Sequence, residues 1–298
     1  MSFFEPGPSD DELYAQVRDD EDLFEYRERL EALWVAYEPI NPDKNFLSAA
    51  KAQLNQAFWQ MYVAYVLREN GFELARPPTG GPDILIKGEG GRCWVEAVCP
   101  RPGTGRDEVK RVQLGNGRYS LDRRAVRLRY TAALTAKSKQ HEAWVKRSIV
   151  APDEAYIVAI GGAELVDADL EKGMPDIVRA VLGLGEFVLQ VPVEKGWGAI
   201  ERGILEEREL QNRNNAPVAQ DGFLTGAWPN VTAVMFSATR IWDRPTPPGR
   251  DMVFVRNLRA TVSVTDKYLG FGRAYEVADG KLDCVDFRDG VVKRSQSA

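Results

Sequence analysis

A strand-like segment near residue 96 carries a single carboxylate within an apolar run. The segment reads CWVEAVC (93–99), and its charged residue is Glu96. A buried carboxylate is costly unless another group compensates its charge, and glutamate is rarely buried without a partner. The surrounding sequence must therefore supply a compensating group, and this requirement constrains how the region folds.

The residues before this segment offer a partner across a β-hairpin. The stretch GPDILIKGEGG (81–91) contains a short apolar strand and a glycine-rich turn, which together indicate a hairpin. A turn at Glu89 and Gly90 places Asp83 directly opposite Glu96, on the same face and with Cβ atoms roughly 5 Å apart. Two carboxylates at that separation repel each other unless a cation lies between them. Because Mg²⁺ takes oxygen ligands, often one or two carboxylates, the pair predicts a divalent-cation site.

Two structural explanations compete with the cation site. Proline and aspartate both favour turns, so Pro82 and Asp83 could form only a turn. Glu96 could instead pair with an arginine of the basic segment that follows.

The chain as a whole alternates helical and strand-like segments, which predicts an α/β fold. An acidic helical extension is expected over residues 1–47 and a single α/β domain over 48–298. Helices are expected at about 11–36, 48–70 and 123–147, with partial helix at 199–212 and a loop at 101–120. Strands beyond the hairpin are expected at 154–162, 230–237, 251–257, 272–277 and 283–287.

Charge is distributed unevenly along the chain. Residues 1–43 carry a net charge of −10, whereas residues 101–147 carry +9. A basic segment can bind polyanions even on a protein that is acidic overall, so nucleic acid, DNA first, is the expected partner. The alternative is a solvated helix face. The candidate phosphate contacts are Arg123, Arg124, Arg127, Arg129 and Lys139.

Composition excludes several classes of chemistry. The single histidine, His141, argues against Ser-His-Asp triads and zinc sites with several histidines. Neither a GxxxxGK[ST] phosphate loop nor a GxGxxG after a strand occurs. The 3 cysteines have no metal-ligand spacing and predict a reduced, cytoplasmic protein. No leader pattern or membrane-length apolar run is present, so no membrane association is expected.

The hairpin and its neighbours resemble the PD-(D/E)xK nuclease superfamily. Pro82-Asp83 matches the PD element, and Glu96-Ala97-Val98 stands where (D/E)xK belongs. The order helix, hairpin, helix, strand over about residues 48–162 matches the family core. The resemblance implies a restriction-endonuclease-like core, a mixed central sheet flanked by helices, with extra C-terminal strands. Many such nucleases act as dimers, so it also leaves a homodimer open.

The resemblance further implies a set of metal ligands. Asp83, Glu96 and the Ala97 carbonyl would bind Mg²⁺ or Mn²⁺, which orients an attacking water and stabilises charge on the scissile phosphate. Two positions depart from the family pattern. Val98 stands where the family has its lysine, and Gln60 stands where a helix glutamate often adds a ligand.

The basic helix supplies a candidate for the missing lysine. At 100° per residue, one stripe of this helix is apolar except for a lysine and a glutamine. Its members are Val126, Tyr130, Ala133, Lys137, Gln140 and Trp144. Lys137 is therefore expected to help activate water, and Gln140 and Gln60 to orient ligands or substrate. The pair Gln140 and Trp144 also resembles the QxxxY motif of one branch of the family. The alternative is that Lys137 snorkels at the edge of a core.

Two functions from different classes follow. The first is metal-dependent phosphodiester hydrolysis on nucleic acid. The second is a catalytically degenerate, nuclease-like module that binds nucleic acid or a protein without cutting, which Val98 and Gln60 favour. Metal dependence separates them, because a simple binder needs no divalent ion and responds steeply to salt.

Overall fold

The computed structural model describes residues 2–88, 91–110, 122–165, 173–190, 201–289 and 292–297. Over these residues the protein is mixed α/β, with a large mixed central sheet flanked by helices, as the sequence predicts. The helices are α1 Glu12–Asp19, α2 Phe24–Tyr37, α3 Phe46–Ala50, α4 Leu54–Glu69, α5 Arg123–Lys146, α6 Asp176–Leu182 and α7 Gly222–Thr225. None of the described helices is long and apolar enough to span a membrane.

The central sheet contains nine strands within the described residues. Their spatial order is β1 Glu73–Ala75, β2 Ile84–Gly88, β3 Gly91–Val98, β4 Ala155–Gly161, β9 Ala233–Ser237, β10 Val253–Arg256, β11 Arg273–Ala278, β12 Lys281–Asp286 and β13 Lys293–Ser297. Strands β3, β4 and β9 run parallel at the centre. Two further hairpins pair β5 Leu184–Gln190 with β6 Glu201–Glu206, and β7 Glu209–Gln211 with β8 Pro217–Ala219. Every residue of β4 is buried, as expected for a strand covered on both faces.

The two faces of the sheet bury separate apolar clusters. Ile86 and Val95 face α1–α4, whereas their neighbours Leu85 and Trp94 face α5 and α6. The predicted extension over residues 1–47 packs into the first cluster, to which it contributes Phe3, Tyr14, Val17, Leu30, Trp34 and Tyr37.

Several predicted boundaries were wrong. The helix expected at 11–36 divides into α1 and α2, because the Asp20 side chain accepts a hydrogen bond from the Asp22 N–H and begins a separate turn. The helix expected at 48–70 divides before α4, where the Asp11 carboxylate accepts from the Leu54 N–H at 2.8 Å. Both breaks arise from side-chain oxygens that compete for backbone N–H groups.

In the C-terminal half, the observed secondary structure differs more from the prediction. The segment expected as partial helix, 199–212, is strand in its described portion, because β6 pairs with β5 and β7 pairs with β8. Strand β13 extends the sheet beyond the last predicted strand. The loop expected at 101–120 is described only to residue 110 and includes one short 3-10 turn, Gly105–Asp107; the remainder lies outside the described residues.

Gly161 is a sensitive packing position between β4 and α4. A Cβ at this position would lie 2.9 Å from the indole of Trp59, whose Nε1 donates to the Ala159 carbonyl at 2.9 Å. We expect Gly161→Ala to lower the free energy of unfolding by about 2 kcal/mol, measured by urea denaturation, because the buried indole must shift. Gly173→Ala is the control, since no atom of the described residues lies within 4 Å of the added carbon. Equal stability of the two variants would contradict this packing.

Candidate active site

The β2–β3 hairpin has the predicted register. Ile84 lies opposite Val95, and Leu85 lies opposite Trp94. Continued by one residue, this register brings Asp83, which directly precedes β2, across from Glu96 near the end of β3. By strand alternation Glu96 belongs to the face that α5 covers, whereas the Asp83 carboxyl is contacted by Gln60 of α4 from the other side of the sheet.

Asp83 is half-buried and held by two hydrogen bonds. Gln60 of α4 donates its side-chain N–H to Oδ1 at 2.6 Å, and the Ala97 backbone N–H donates to Oδ2 at 2.8 Å. Burial raises the pKa of Asp83 well above its ordinary value, and the charge of Glu96 raises it further. The two hydrogen bonds lower the pKa but do not offset these effects. The carboxyl is therefore oriented firmly while its charged form is disfavoured.

Glu96 is 4% exposed and has one direct charge partner. Lys137 Nζ of α5 lies 2.7 Å from Oε1 and also donates to the Gln140 side-chain oxygen at 3.0 Å. Among the described residues, no hydrogen-bond donor reaches the buried Oε2 of Glu96. Burial raises the pKa of Glu96 above its ordinary value, although Lys137 lowers it. Lys137, on the basic helix, thus compensates part of the negative charge that Glu96 brings into the apolar strand.

The oxygen atoms at this strand end fit a hard divalent cation. Asp83 and Glu96 supply two carboxylates, and Oε2 of Glu96 has no donor in the part of the chain that the structure describes. The Ala97 carbonyl accepts from Gln56 Nε2 at 3.0 Å, and a carbonyl oxygen can accept once more. Mg²⁺ commonly binds proteins through one or two carboxylates and fills its other positions with water and phosphate oxygens. No group of three or more histidine, cysteine, aspartate or glutamate side chains is placed so that it could hold a metal ion in the part of the chain that the structure describes.

Two contacts that position the site were not predicted. The Gln56 amide accepts from the Cys99 N–H at 2.7 Å and donates to the Ala97 carbonyl, so it holds the end of β3 through both backbone groups. Gln56 and Gln60 lie four residues apart on α4, a helix whose buried residues are mostly apolar. This spacing puts both amides on one face of the helix, and it was the sequence feature that could have indicated the role of Gln56. On the other side, Trp144 Nε1 donates to the Gly80 carbonyl at 2.7 Å and fastens the turn before Asp83 to α5.

His141 supports the α5 side of the site. Its ring is buried, lies 4.4 Å between centroids from Tyr156, and has Nδ1 3.2 Å from the Asn230 amide. The Tyr156 hydroxyl donates to the Lys137 carbonyl at 3.3 Å. Burial lowers the pKa of His141, so the neutral ring is favoured. These contacts fix the helical turn that carries Lys137.

The predicted phosphate contacts lie along α5, away from the carboxylates. Their guanidinium groups contact acidic side chains or carbonyl oxygens of the chain: Arg123 with Asp176, Arg124 with Asp107, Arg127 with Glu207, and Arg129 with the Asp107 carbonyl. Arg127 is buried, whereas Lys139 is exposed. The structure therefore brings together Gln60, Asp83, Glu96, Ala97, Lys137 and Gln140, and leaves the four arginines and Lys139 outside that group.

Comparison with family models, curated proteins and solved structures finds no match for this chain. The class of protein that the fold defines is therefore a mixed α/β protein with a carboxylate–lysine site at the end of a central strand. Any more specific assignment rests on the residues of that site.

Proposed function

We propose that the protein is a metal-dependent nuclease of PD-(D/E)xK type, which hydrolyses phosphodiester bonds in nucleic acid. The observation that carries the proposal is the convergence of Asp83, Glu96 and Lys137, which lie on separate elements and meet at one strand end. Raised carboxyl pKa values at such a cluster are typical of functional sites. Val98 stands where the family has its lysine. Lys137 of α5 would take the place of that lysine, because its ammonium group lies 2.7 Å from the Glu96 carboxylate.

Each residue has a role in this proposal. Asp83, Glu96 and the Ala97 carbonyl would hold Mg²⁺ or Mn²⁺, which when bound supplies Lewis-acid stabilisation and lowers the pKa of a bound water. Gln60 would orient the Asp83 carboxyl, to which it donates a hydrogen bond of 2.6 Å. Gln140 holds the Lys137 ammonium group near Glu96, where it would position the attacking water and stabilise negative charge on phosphate.

The ion pair also favours a second candidate. Lys137 already neutralises part of the Glu96 charge at 2.7 Å, so the site can persist without a metal ion. The protein would then be a catalytically degenerate module that binds nucleic acid or a protein partner. Gln60 in place of an acid supports this candidate, because an amide reduces the negative charge available to attract a cation.

Cleavage assays separate the two candidates. Purified protein is incubated with supercoiled plasmid, single-stranded DNA and RNA, first in Mg²⁺ and then in Mn²⁺. We expect metal-dependent cleavage that falls at least about 100-fold in Asp83→Asn and in Glu96→Gln, because each loses a ligand charge. Glu108→Gln, which changes an exposed carboxylate, is the matched control.

The outcomes are distinct. Cleavage retained in both site variants would contradict the nuclease proposal. No cleavage of any substrate, with DNA binding that persists in a chelator and weakens with salt, would support the binding module instead.

A further inference from the structure

A separate groove lies on the other side of α5. Its volume is about 710 Å³. It is lined by the loop around Gly103, by one face of α5 and by the β7–β8 hairpin. At 100° per residue, Ala132, Thr135 and Lys139 lie roughly 160° to 220° around the helix from Lys137. The groove is therefore distinct from the carboxylate site.

The charged side chains of the groove leave it basic. Arg129, Lys139 and Arg213 line it together with one acid, Asp107. That acid is already engaged, since its Oδ2 accepts from the Arg213 backbone N–H at 2.7 Å and its Oδ1 lies 3.4 Å from the Arg124 guanidinium. Arg129 donates one N–H to the Asp107 carbonyl at 2.8 Å, whereas Lys139 and Arg213 are exposed. The groove thus retains positive charge and donor capacity for an anion.

A glycine loop brings this positive charge close to the backbone. Gly103 and Gly105 have φ angles of 79° and 76°, which side chains rarely adopt. The Arg129 guanidinium packs directly on Gly103, where any Cβ would collide with it. Thr104 lies between the two glycines and is exposed, so the same loop also carries a hydroxyl group. Hydroxyl and guanidinium groups together are suited to phosphate oxygens.

Part of the groove lining is apolar. Ala132 and Ala136 are exposed and lie one helical turn apart, so they form a ledge without protruding side chains. Leu128 and Val218 continue the apolar surface. A flat ring can lie on such a ledge, while the rim of basic side chains contacts an attached anion. The volume is within the range of small-molecule sites, which is about 300–1,000 Å³.

We propose that this groove binds a nucleotide or a similar organophosphate. The phosphate groups contact Arg129, Lys139 and Arg213, and the flat ring lies over Ala132 and Ala136. The proposal does not depend on the nuclease activity, because none of these residues contacts Asp83, Glu96 or Lys137 through a hydrogen bond or ion pair that the structure describes.

Calorimetric titration of the full chain with ATP in the presence of a chelator tests the proposal. Adenosine and inorganic triphosphate are titrated separately. We expect each to bind at least about 10-fold more weakly than ATP, because adenosine lacks the phosphate contacts and triphosphate lacks the contacts of the ring. Ala132→Leu places a larger side chain on the ledge at an exposed helical position and should weaken ATP binding about 10-fold or more. Lys139→Gln removes one charged contact and should weaken it about 5-fold to 10-fold.

Lys146→Gln, at an exposed lysine near the end of α5, is the matched control and should leave affinity unchanged. Circular dichroism establishes that each variant is folded. ATP binding that is insensitive to both Ala132→Leu and Lys139→Gln would overturn the proposal, as would triphosphate binding as tight as that of ATP. Binding of a 20-nucleotide DNA without measurable binding of ATP would overturn it as well.

Discussion

Replacing Lys137 with methionine is expected to lower the free energy of unfolding by about 2–3 kcal/mol at pH 7.5. The substitution removes the ammonium group that lies 2.7 Å from Glu96, whose side chain is only 6% exposed. Removing one partner of a buried pair leaves an uncompensated charge, at a cost of about 3–5 kcal/mol. The Lys137 side chain is 20% exposed, so the expected loss is smaller. Urea denaturation in a chelator measures it.

A double-mutant cycle with Glu96→Gln distinguishes the ion pair from simple packing. Because glutamine carries no charge, Lys137→Met should cost much less in the Glu96→Gln background. The loss should also shrink as pH falls, since a protonated Glu96 needs no cation. Lys139→Met, at an exposed lysine two residues away, controls for the loss of a lysine from α5. Equal losses from Lys137→Met and Lys139→Met would contradict a stabilising role for the pair.

Asp83→Asn is expected to raise the free energy of unfolding by about 1 kcal/mol near pH 8, a gain typical of relieving a strained functional site. The folded-state pKa of Asp83 is well above its ordinary value, so the folded protein holds this proton more tightly than the unfolded chain. Stability therefore falls as pH rises from the unfolded pKa of about 3.9 towards the folded pKa. Asparagine can still accept from the Ala97 N–H, and the Gln60 amide can reverse to accept from it.

Urea denaturation of the wild type and of Asp83→Asn over a series of pH values, in a chelator, checks this prediction. The two proteins should converge in stability at acid pH and diverge as pH rises. Asp10→Asn, at an exposed aspartate, is the matched control. A variant that is less stable than the wild type at pH 8 would show that the two hydrogen bonds outweigh burial and the charge of Glu96.

The register of the hairpin and the apolar stripe of α5 were predictable because each depends on residues that are close together in sequence. The glycine-rich sequence of the hairpin and the alternation of β3 favour one register, in which Gly88 pairs with Gly91, and a one-residue slip would move Glu96 to the other face of the sheet. Lys137 was recognisable because it interrupts an apolar stripe at helical spacing, and the structure places its ammonium group beside Glu96. The hairpin needed only periodicity and the cost of burying charge, whereas the family resemblance prompted the search for a lysine on α5.

Other features depended on contacts between distant segments. The break before α4 requires Asp11, which is 43 residues away from Leu54 in sequence. The role of Gln56 depends on where β3 ends relative to α4, and β6 is a strand because it pairs with β5. None of these partners can be identified from local propensity, because the same residues are compatible with other conformations until the tertiary neighbours are present.

The two carboxyls are held from opposite sides of the central sheet. Gln60 belongs to the helical layer on one side and fixes Asp83, whereas Lys137 belongs to the layer on the other side and fixes Glu96. The separation of the two carboxyls therefore depends on the thickness of the packed layers. A change of side-chain volume in either apolar cluster, far from any charged group, would be transmitted to the site as a change in the distance between its acids.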